Sequence, residues 1–300
     1  MLGLELPALI GNTPLVKLRS LGVSGVDIYV KLEYMNPTGS HKDRIAYYMV
    51  RDAVERYGLK PGDVVVEASS GNTAISVAFV SKFYGLKPVV LVEEEASAEK
   101  ISMLKLMGAE VIKASSDPSS PRYYLKLARE VASERGGVFL NQFENPANIR
   151  AHYETTAREI WATLRGRVDC FVMGVGTGGT ISGVGRFLKE MSRDVRVVAV
   201  TPRGSRLAGG SGLDVIDGLA SKNVYPNFDR SVVDEVVEVS RSEAVEMARK
   251  LIEVEGILGG ISAGANVYAA VTVASRLPRG SVVVTLAPDS AFRYLGTLLR

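Results

Sequence analysis

Four short stretches of this chain gather residue types that handle anions and protons. The first is Asn36-Pro37-Thr38-Gly39-Ser40-His41-Lys42-Asp43-Arg44, where a Pro/Gly loop runs into a helix-forming stretch. A lysine at such a junction meets the partial positive charge of the helix N-terminus, which disfavours its protonated form. Free lysine titrates near ~10.4, so loss of that proton is what a Schiff-base lysine needs. Most lysines so placed are simply solvated, and Lys42 needs company before chemistry is assigned to it.

The second stretch, Ser69-Ser70-Gly71-Asn72-Thr73, lies between an apolar run and a helical pattern. Its hydroxyls, amide and backbone N–H groups suit a carboxylate or phosphate cradle. The same residue types also do nothing more than cap helices. In the third, Gly174-Val175-Gly176-Thr177-Gly178-Gly179-Thr180, four glycines and two threonines fall in seven residues after an apolar strand pattern. A tight βα turn needs one or two glycines; this many lets backbone amides close around a phosphate at a helix N-terminus. The fourth, Ala287-Pro288-Asp289-Ser290, follows another apolar run. The ends of strands in open α/β sheets point into a ligand crevice, although Ser290 would equally cap a final helix.

Gly174, Gly176 and Gly179 also satisfy G-x-G-x-x-G, so a dinucleotide site stands as an alternative. That site wants an acidic residue at the end of the next strand, where this chain has Thr201-Pro202-Arg203. An arginine there suits a 2′-phosphate, and the match is partial.

The elements that must position these residues alternate β-branched runs with amphipathic stretches, the pattern of βαβ units and a mainly parallel sheet. Strands are expected at 63–67, 88–92, 110–114 and 138–140, with helices at 73–84, 100–107 and 122–134. Gly85 is placed to stop the first of these helices. A second set follows: helix 151–164, strand 168–173, helix 179–191, strand 195–200, helices 242–255 and 263–276, and strand 281–286. Residues 202–235 read as irregular, with Gly209, Gly210, Gly212, Gly218 and Pro226 among them.

Composition removes several classes. Of 300 residues, 46% are hydrophobic and 23% charged, with a net charge of +3 and no basic run, which argues for a globular protein and against nucleic-acid binding. Apolar runs fall short of the ~18 residues of a membrane span, and the start has no basic region ahead of Glu5 and Pro7, so a cytoplasmic protein is expected. Cys170 is the sole cysteine and sits in an apolar run, where a buried core thiol is the expectation. His41 and His152, the two histidines, are far apart in sequence, and no metal site is expected.

Taken together and in this order, the four stretches resemble the cysteine synthase and cystathionine β-synthase family of fold-type II pyridoxal-phosphate enzymes. The resemblance runs from Ile10-Gly11-Asn12-Thr13-Pro14-Leu15 to Arg293-Tyr294-Leu295, through Glu255-Gly256-Ile257-Leu258 and Gly260-Ile261-Ser262-Ala263-Gly264-Ala265. It implies two three-layer α/β domains of the tryptophan synthase β type, with the cofactor in the cleft between them. The smaller domain would span 38–141, and the larger 1–37 plus 142–300. It also implies pyridoxal 5′-phosphate held by Lys42, with Gly176, Thr177, Gly178, Gly179 and Thr180 as the phosphate cup. Ser290 would face the pyridine nitrogen. Ser69, Ser70, Gly71, Asn72, Thr73, Gln142 and Gly218 would meet the substrate, and Asn72 the cofactor ring as well. Gln142, within Asn141-Gln142-Phe143, is the chain's sole glutamine.

The implied activity is β-replacement: an activated serine loses its β-substituent to give an aminoacrylate, and sulfide adds to form L-cysteine. Cystathionine formation from serine and homocysteine is the alternative inside the family, and a nicotinamide-dependent oxidoreductase the alternative outside it. With nothing after Arg300 and no haem-binding stretch ahead of the first motif, a long regulated cystathionine β-synthase is not expected. A homodimer acting on small molecules is. The chain departs from the family pattern in Ser69 and Ala74, in an alanine of Ser262-Ala263-Gly264-Ala265 where serine is commoner, and in a short segment after Pro202 that carries Arg203 and Arg206. Those two arginines are candidate contacts to a phosphate leaving group, which would make O-phosphoserine the donor rather than O-acetylserine.

Overall fold

A computed structural model of the chain describes residues 6–212 and 214–300. In chain order the elements are β1 (Leu15–Lys17), β2 (Asp27–Leu32), α1 (Lys42–Tyr57), β3 (Val64–Ala68), α2 (Asn72–Phe83), β4 (Lys87–Glu93), α3 (Ala98–Leu106), β5 (Glu110–Ala114), α4 (Tyr124–Glu134) and β6 (Val138–Phe139). Then come α5 (Pro146–Ala151), a π-helical turn His152–Thr156, α6 (Ala157–Thr163), β7 (Cys170–Gly174), α7 (Gly179–Met191), β8 (Arg196–Pro202), β9 (Glu235–Val239), α8 (Arg241–Glu255), α9 (Ile261–Ala274), β10 (Val282–Ala287) and the short α10 (Leu295–Leu298). None of the described helices is long and apolar enough to cross a membrane.

The chain forms two compact units, with the boundaries at Lys42 and Asn148 where 38 and 141 were expected. The first, residues 42–148 with 6–10, is built on a four-stranded sheet in the order β5-β4-β3-β6. Its strands are all parallel. Strand alternation sends Val66, Ala68, Val89 and Leu91 against α4, and Val90 and Val92 against α2 and α3. That is helix, sheet, helix. Gly85 ends α2 with φ 65, the left-handed conformation that spares glycine a Cβ clash.

The second unit, residues 11–41 and 149–300, holds a six-stranded sheet in the order β1-β2-β10-β7-β8-β9. Only β1 runs antiparallel to its neighbour. Cys170, Val172, Val198, Val200 and Val283 pack on α8 and α9, while Phe171, Met173, Val197, Ala199 and Val284 pack on α6 and α7. Both units are therefore three-layered α/β sandwiches, as expected. A capping box between Ser240 and Glu243 starts α8, and Gly256 at φ 69 ends it.

Among the elements that differ from the sequence expectation are three that bear on the core. The stretch 27–32 is a central strand, hidden from a pattern reading because Lys31 looks like a surface residue. Its ammonium is in fact buried, paired with Glu159 at 2.7 Å and donating to the Thr13 carbonyl at 2.8 Å. The segment read as irregular to 235 gives way at that residue to β9, an edge strand on which Glu235 is half-buried and Glu238 exposed. The helix expected at 151–164 starts earlier, at Pro146, and is interrupted by the π turn at His152–Thr156.

Candidate active site

In the first unit, Lys42 is the first residue of α1 and is half-buried. The Ser69–Thr73 loop leaves the carboxyl end of β3 and enters α2, whose N-cap Gly71 offers no side-chain cap. The first N–H groups of that helix are thus presented by the loop rather than covered by a side chain. Thr73 donates its hydroxyl hydrogen to Gln142 Oε1 at 2.6 Å, across 69 residues of sequence. Gln142 Nε2 reaches back to the Ala68 carbonyl at 3.4 Å, and Asn148 donates to the Gln142 carbonyl at 2.8 Å. The loop after β6 therefore braces the loop after β3, and both close on one rim of the sheet. Ser70 turns its hydroxyl to Glu93 at 3.2 Å, and Ser69 accepts from the Gly71 N–H at 3.1 Å.

In the second unit, the glycine loop leaves the carboxyl end of β7 and enters α7. Gly178 is the N-cap at φ 90, with no side chain capping the helix. A Cβ on Gly176 would lie 2.6 Å from the Gly218 carbonyl oxygen, and one on Gly178 would lie 2.5 Å from the Phe228 nitrogen. Glycine is thus required twice, once by close packing alone and once by packing and backbone conformation together. The expected substrate residue Gly218 lies against this loop, with φ 85. Thr177 and Thr180 are buried. A helix start with no side-chain cap, carrying two buried threonines and uncapped first-turn N–H groups, fits a phosphate monoester.

The neighbouring strand supports the glycine loop. Asn266 accepts from the Gly174 N–H at 2.8 Å and donates to the Leu286 carbonyl at 2.9 Å, tying the end of β7 to that of β10. Just past β10, Ser290 is half-buried and caps a 3-10 turn by accepting from the Phe292 N–H at 3.3 Å. Ser40 bridges Asp289, and the His41 N–H donates to the Pro288 carbonyl at 2.8 Å, so the chain just before Lys42 is laid along the end of β10.

The two histidines, distant in sequence, have ring centroids 5.7 Å apart. His152 is fully buried, with Nδ1 3.0 Å from the Thr156 hydroxyl and Nε2 3.1 Å from that of Thr180. Sequence reasoning missed this residue. The signal was a histidine inside an amphipathic helix pattern, and the π turn that aims it leaves no mark in the sequence. Cys170 is fully buried, and burial pushes its thiol up to about 12, so it has no nucleophilic thiolate at neutral pH. No cluster of metal ligands occurs among the described residues.

Arg203 is exposed and paired with Glu243 at 3.0 Å. Partial burial works against Glu243, yet hydrogen bonds from Ser240 and Tyr268 and the charge of Arg203 bring it down to about 2. That carboxylate also belongs to the capping box of α8. Arg206 is exposed, with its backbone N–H on the Ser221 carbonyl at 2.8 Å.

Residues 6–289 match the family described as pyridoxal-phosphate dependent enzyme. A cysteine synthase of Staphylococcus aureus is 42% identical over 295 residues, covering 97% of this chain and 95% of that protein. A cystathionine beta-synthase of Apis mellifera is 40% identical over 298 residues, 95% of this chain, which spans only 59% of that longer protein. The crystal structure of O-ureido-L-serine synthase superposes with a TM-score of 0.94 at 39% identity, covering 100% of this chain and 95% of that one. The glycine loop lies inside the matched family region, so the nicotinamide alternative is set aside. The chain belongs to the cysteine synthase and cystathionine β-synthase family of fold-type II, pyridoxal-phosphate dependent enzymes.

Proposed function

We propose that this enzyme performs β-replacement on an activated L-serine with sulfide as the nucleophile, giving L-cysteine. The observation that carries the reading is the Thr73–Gln142 hydrogen bond at 2.6 Å. It joins two loops into a rim of hydroxyls, amides and helix-start N–H groups, which is what an amino-acid carboxylate asks for. Ser69, Ser70, Gly71, Asn72 and Thr73 take that carboxylate with Gln142, and Gly218 also meets the substrate. Lys42 anchors the cofactor through its amine and moves the proton at the substrate Cα. Gly176, Thr177, Gly178, Gly179 and Thr180 take the phosphate. Ser290 offers a hydroxyl to the pyridine nitrogen, and unlike a carboxylate it does not enforce a protonated ring. The bound cofactor supplies the electron sink, and a weaker sink favours β-elimination over transamination or racemisation.

The donor follows from charge. Arg203 is committed to Glu243, so a guanidinium clamp for a phosphate leaving group rests on Arg206. A relative makes O-ureido-L-serine, so nucleophile and donor are varied together in the test. The holoenzyme is mixed with O-acetylserine, O-phosphoserine or serine, each with sulfide or homocysteine, and kcat/KM is compared. Cysteine formed from an activated serine and sulfide faster than any other pairing supports the reading. Preference for serine with homocysteine overturns it in favour of cystathionine synthesis. A selective loss with O-phosphoserine in Arg206→Ala, and none in Arg203→Ala, supports the clamp. We take the working enzyme to be a cytoplasmic homodimer, which light scattering of the purified protein tests for the oligomer.

A further inference from the structure

His152 has no part in the chemistry above, yet it is fully buried within the second unit. It opens the π turn, and α7 lies close against that turn. A Cβ on Gly183 would stand 2.4 Å from the Ile149 carbonyl oxygen and 2.9 Å from the Tyr153 backbone nitrogen. Glycine at that position is what lets the two backbones approach. Thr180 lies three residues earlier, on the same face of α7, and its hydroxyl meets His152 Nε2 at 3.1 Å. On the other edge of the ring, the Thr156 hydroxyl lies 3.0 Å from Nδ1. All three side chains are buried. Among the described residues, His152 is the one side-chain partner of the Thr180 hydroxyl.

A neutral imidazole has one N–H and one accepting nitrogen, and a hydroxyl has one hydrogen to give. With the ring hydrogen on Nδ1, Nε2 accepts, and Thr180 spends its hydrogen on the ring. Its lone pairs then face any bound anion, and a phosphate dianion, which only accepts, is repelled. With the ring hydrogen on Nε2, Thr156 donates to Nδ1 and Nε2 donates to the Thr180 oxygen. The Thr180 hydrogen is left for the anion. We propose that His152 is a positioning residue for the phosphate cup, holding its ring hydrogen on Nε2 so that Thr180 keeps its own for the phosphate. Each donor in the series Thr156, His152, Thr180 then points at the next acceptor, and the phosphate is the last. Polarisation along such a chain strengthens its final bond. No proton is transferred. The inference rests on the phosphate role proposed for Gly176 to Thr180.

The test is nitrogen-15 NMR of the holoenzyme labelled at histidine rings, where the shifts of Nδ1 and Nε2 report which carries hydrogen. His41 is the only other histidine, so His41→Gln leaves the His152 signals alone in the spectrum. Hydrogen on Nε2 alone is expected. Hydrogen on Nδ1 alone, or on both nitrogens, overturns the proposal. Cofactor affinity gives the second arm. His152→Gln, whose amide N–H stands in for Nε2–H, should keep the Kd for pyridoxal phosphate. His152→Asn, too short to reach Thr180, should raise it about threefold to tenfold, the worth of a neutral hydrogen bond. Pyridoxal, which has no phosphate, should bind both variants alike. An equal loss for pyridoxal in His152→Asn would mark a merely structural role and sink the inference. Thr180→Val tells the two readings apart. Unchanged affinity there removes Thr180 from the cup, and this inference with it. A loss there with none in His152→Asn overturns the inference alone. If neither His152 variant folds, the ring shifts of the wild type and His41→Gln still decide it.

Discussion

The Thr73 hydroxyl and the Gln142 amide meet at 2.6 Å, both side chains buried, in the segments that follow two adjacent parallel strands. The bond fixes which way the amide faces: Oε1 is taken by Thr73, and Nε2 is turned toward the loop that begins at Ala68. Removing Gln142 with Gln142→Ala should weaken substrate binding by the worth of a charge-assisted hydrogen bond, ~1.5–3 kcal/mol. The midpoint of the absorbance change on adding the donor should then rise about tenfold or more. Thr73→Val should give a smaller rise, since it frees the amide without deleting it. Unchanged midpoints in both would place the carboxylate elsewhere.

Lys42→Ala should bind pyridoxal phosphate without fixing it covalently. Borohydride followed by mass spectrometry should find the cofactor attached to the wild type and absent from the variant. Turnover should fall by several orders of magnitude, because anchor and proton carrier leave together. Sulfhydrylase activity near the wild-type level would reassign both roles.

The glycine loop gives a graded prediction. Gly178→Ala forces a left-handed backbone on alanine and drives a Cβ to 2.5 Å from the Phe228 nitrogen. Gly204→Ala, at φ 68 with nothing within 4 Å, carries the backbone strain alone, ~1–2 kcal/mol. Both should lose stability, and Gly178→Ala more. Only Gly178→Ala should also release cofactor, measured by equilibrium dialysis as a rise in the Kd for pyridoxal phosphate of about tenfold or more. Equal cofactor affinity in the two variants would separate the loop from phosphate binding.

Glu67 makes stability depend on pH in a stated direction. Burial holds its folded-state pKa above its ordinary value, so between 4.5 and about 8 the native protein holds a proton that the unfolded chain releases. Stability is therefore lost as pH rises through that window, and the loss levels off above about 8. Glu67→Gln removes the linkage. Urea unfolding should show the variant gaining on the wild type by about 1 kcal/mol per pH unit across the window. Parallel pH dependences of the two proteins would refute a protonated Glu67.

By itself the sequence determined the α/β class, most of the strands and helices, and the local motifs. Those features are short-range. Gly178 and Gly85 mark left-handed turns, and alternating β-branched runs mark strands whatever surrounds them. Lys42 and the Ser69–Thr73 loop were legible for the same reason, since each sits where a loop becomes a helix. Tertiary structure alone decided which distant groups meet. Lys31 is charged and reads as surface, yet a partner at Glu159 lets it lie inside a central strand. His152 reaches Thr180 only because a π turn and α7 pack together, and Arg203 is bound to Glu243 by the meeting of β8 with α8. Glu67 looks like one polar residue in a run of valines. Its weight comes from total burial, and burial is a property of the folded chain that no window of sequence contains.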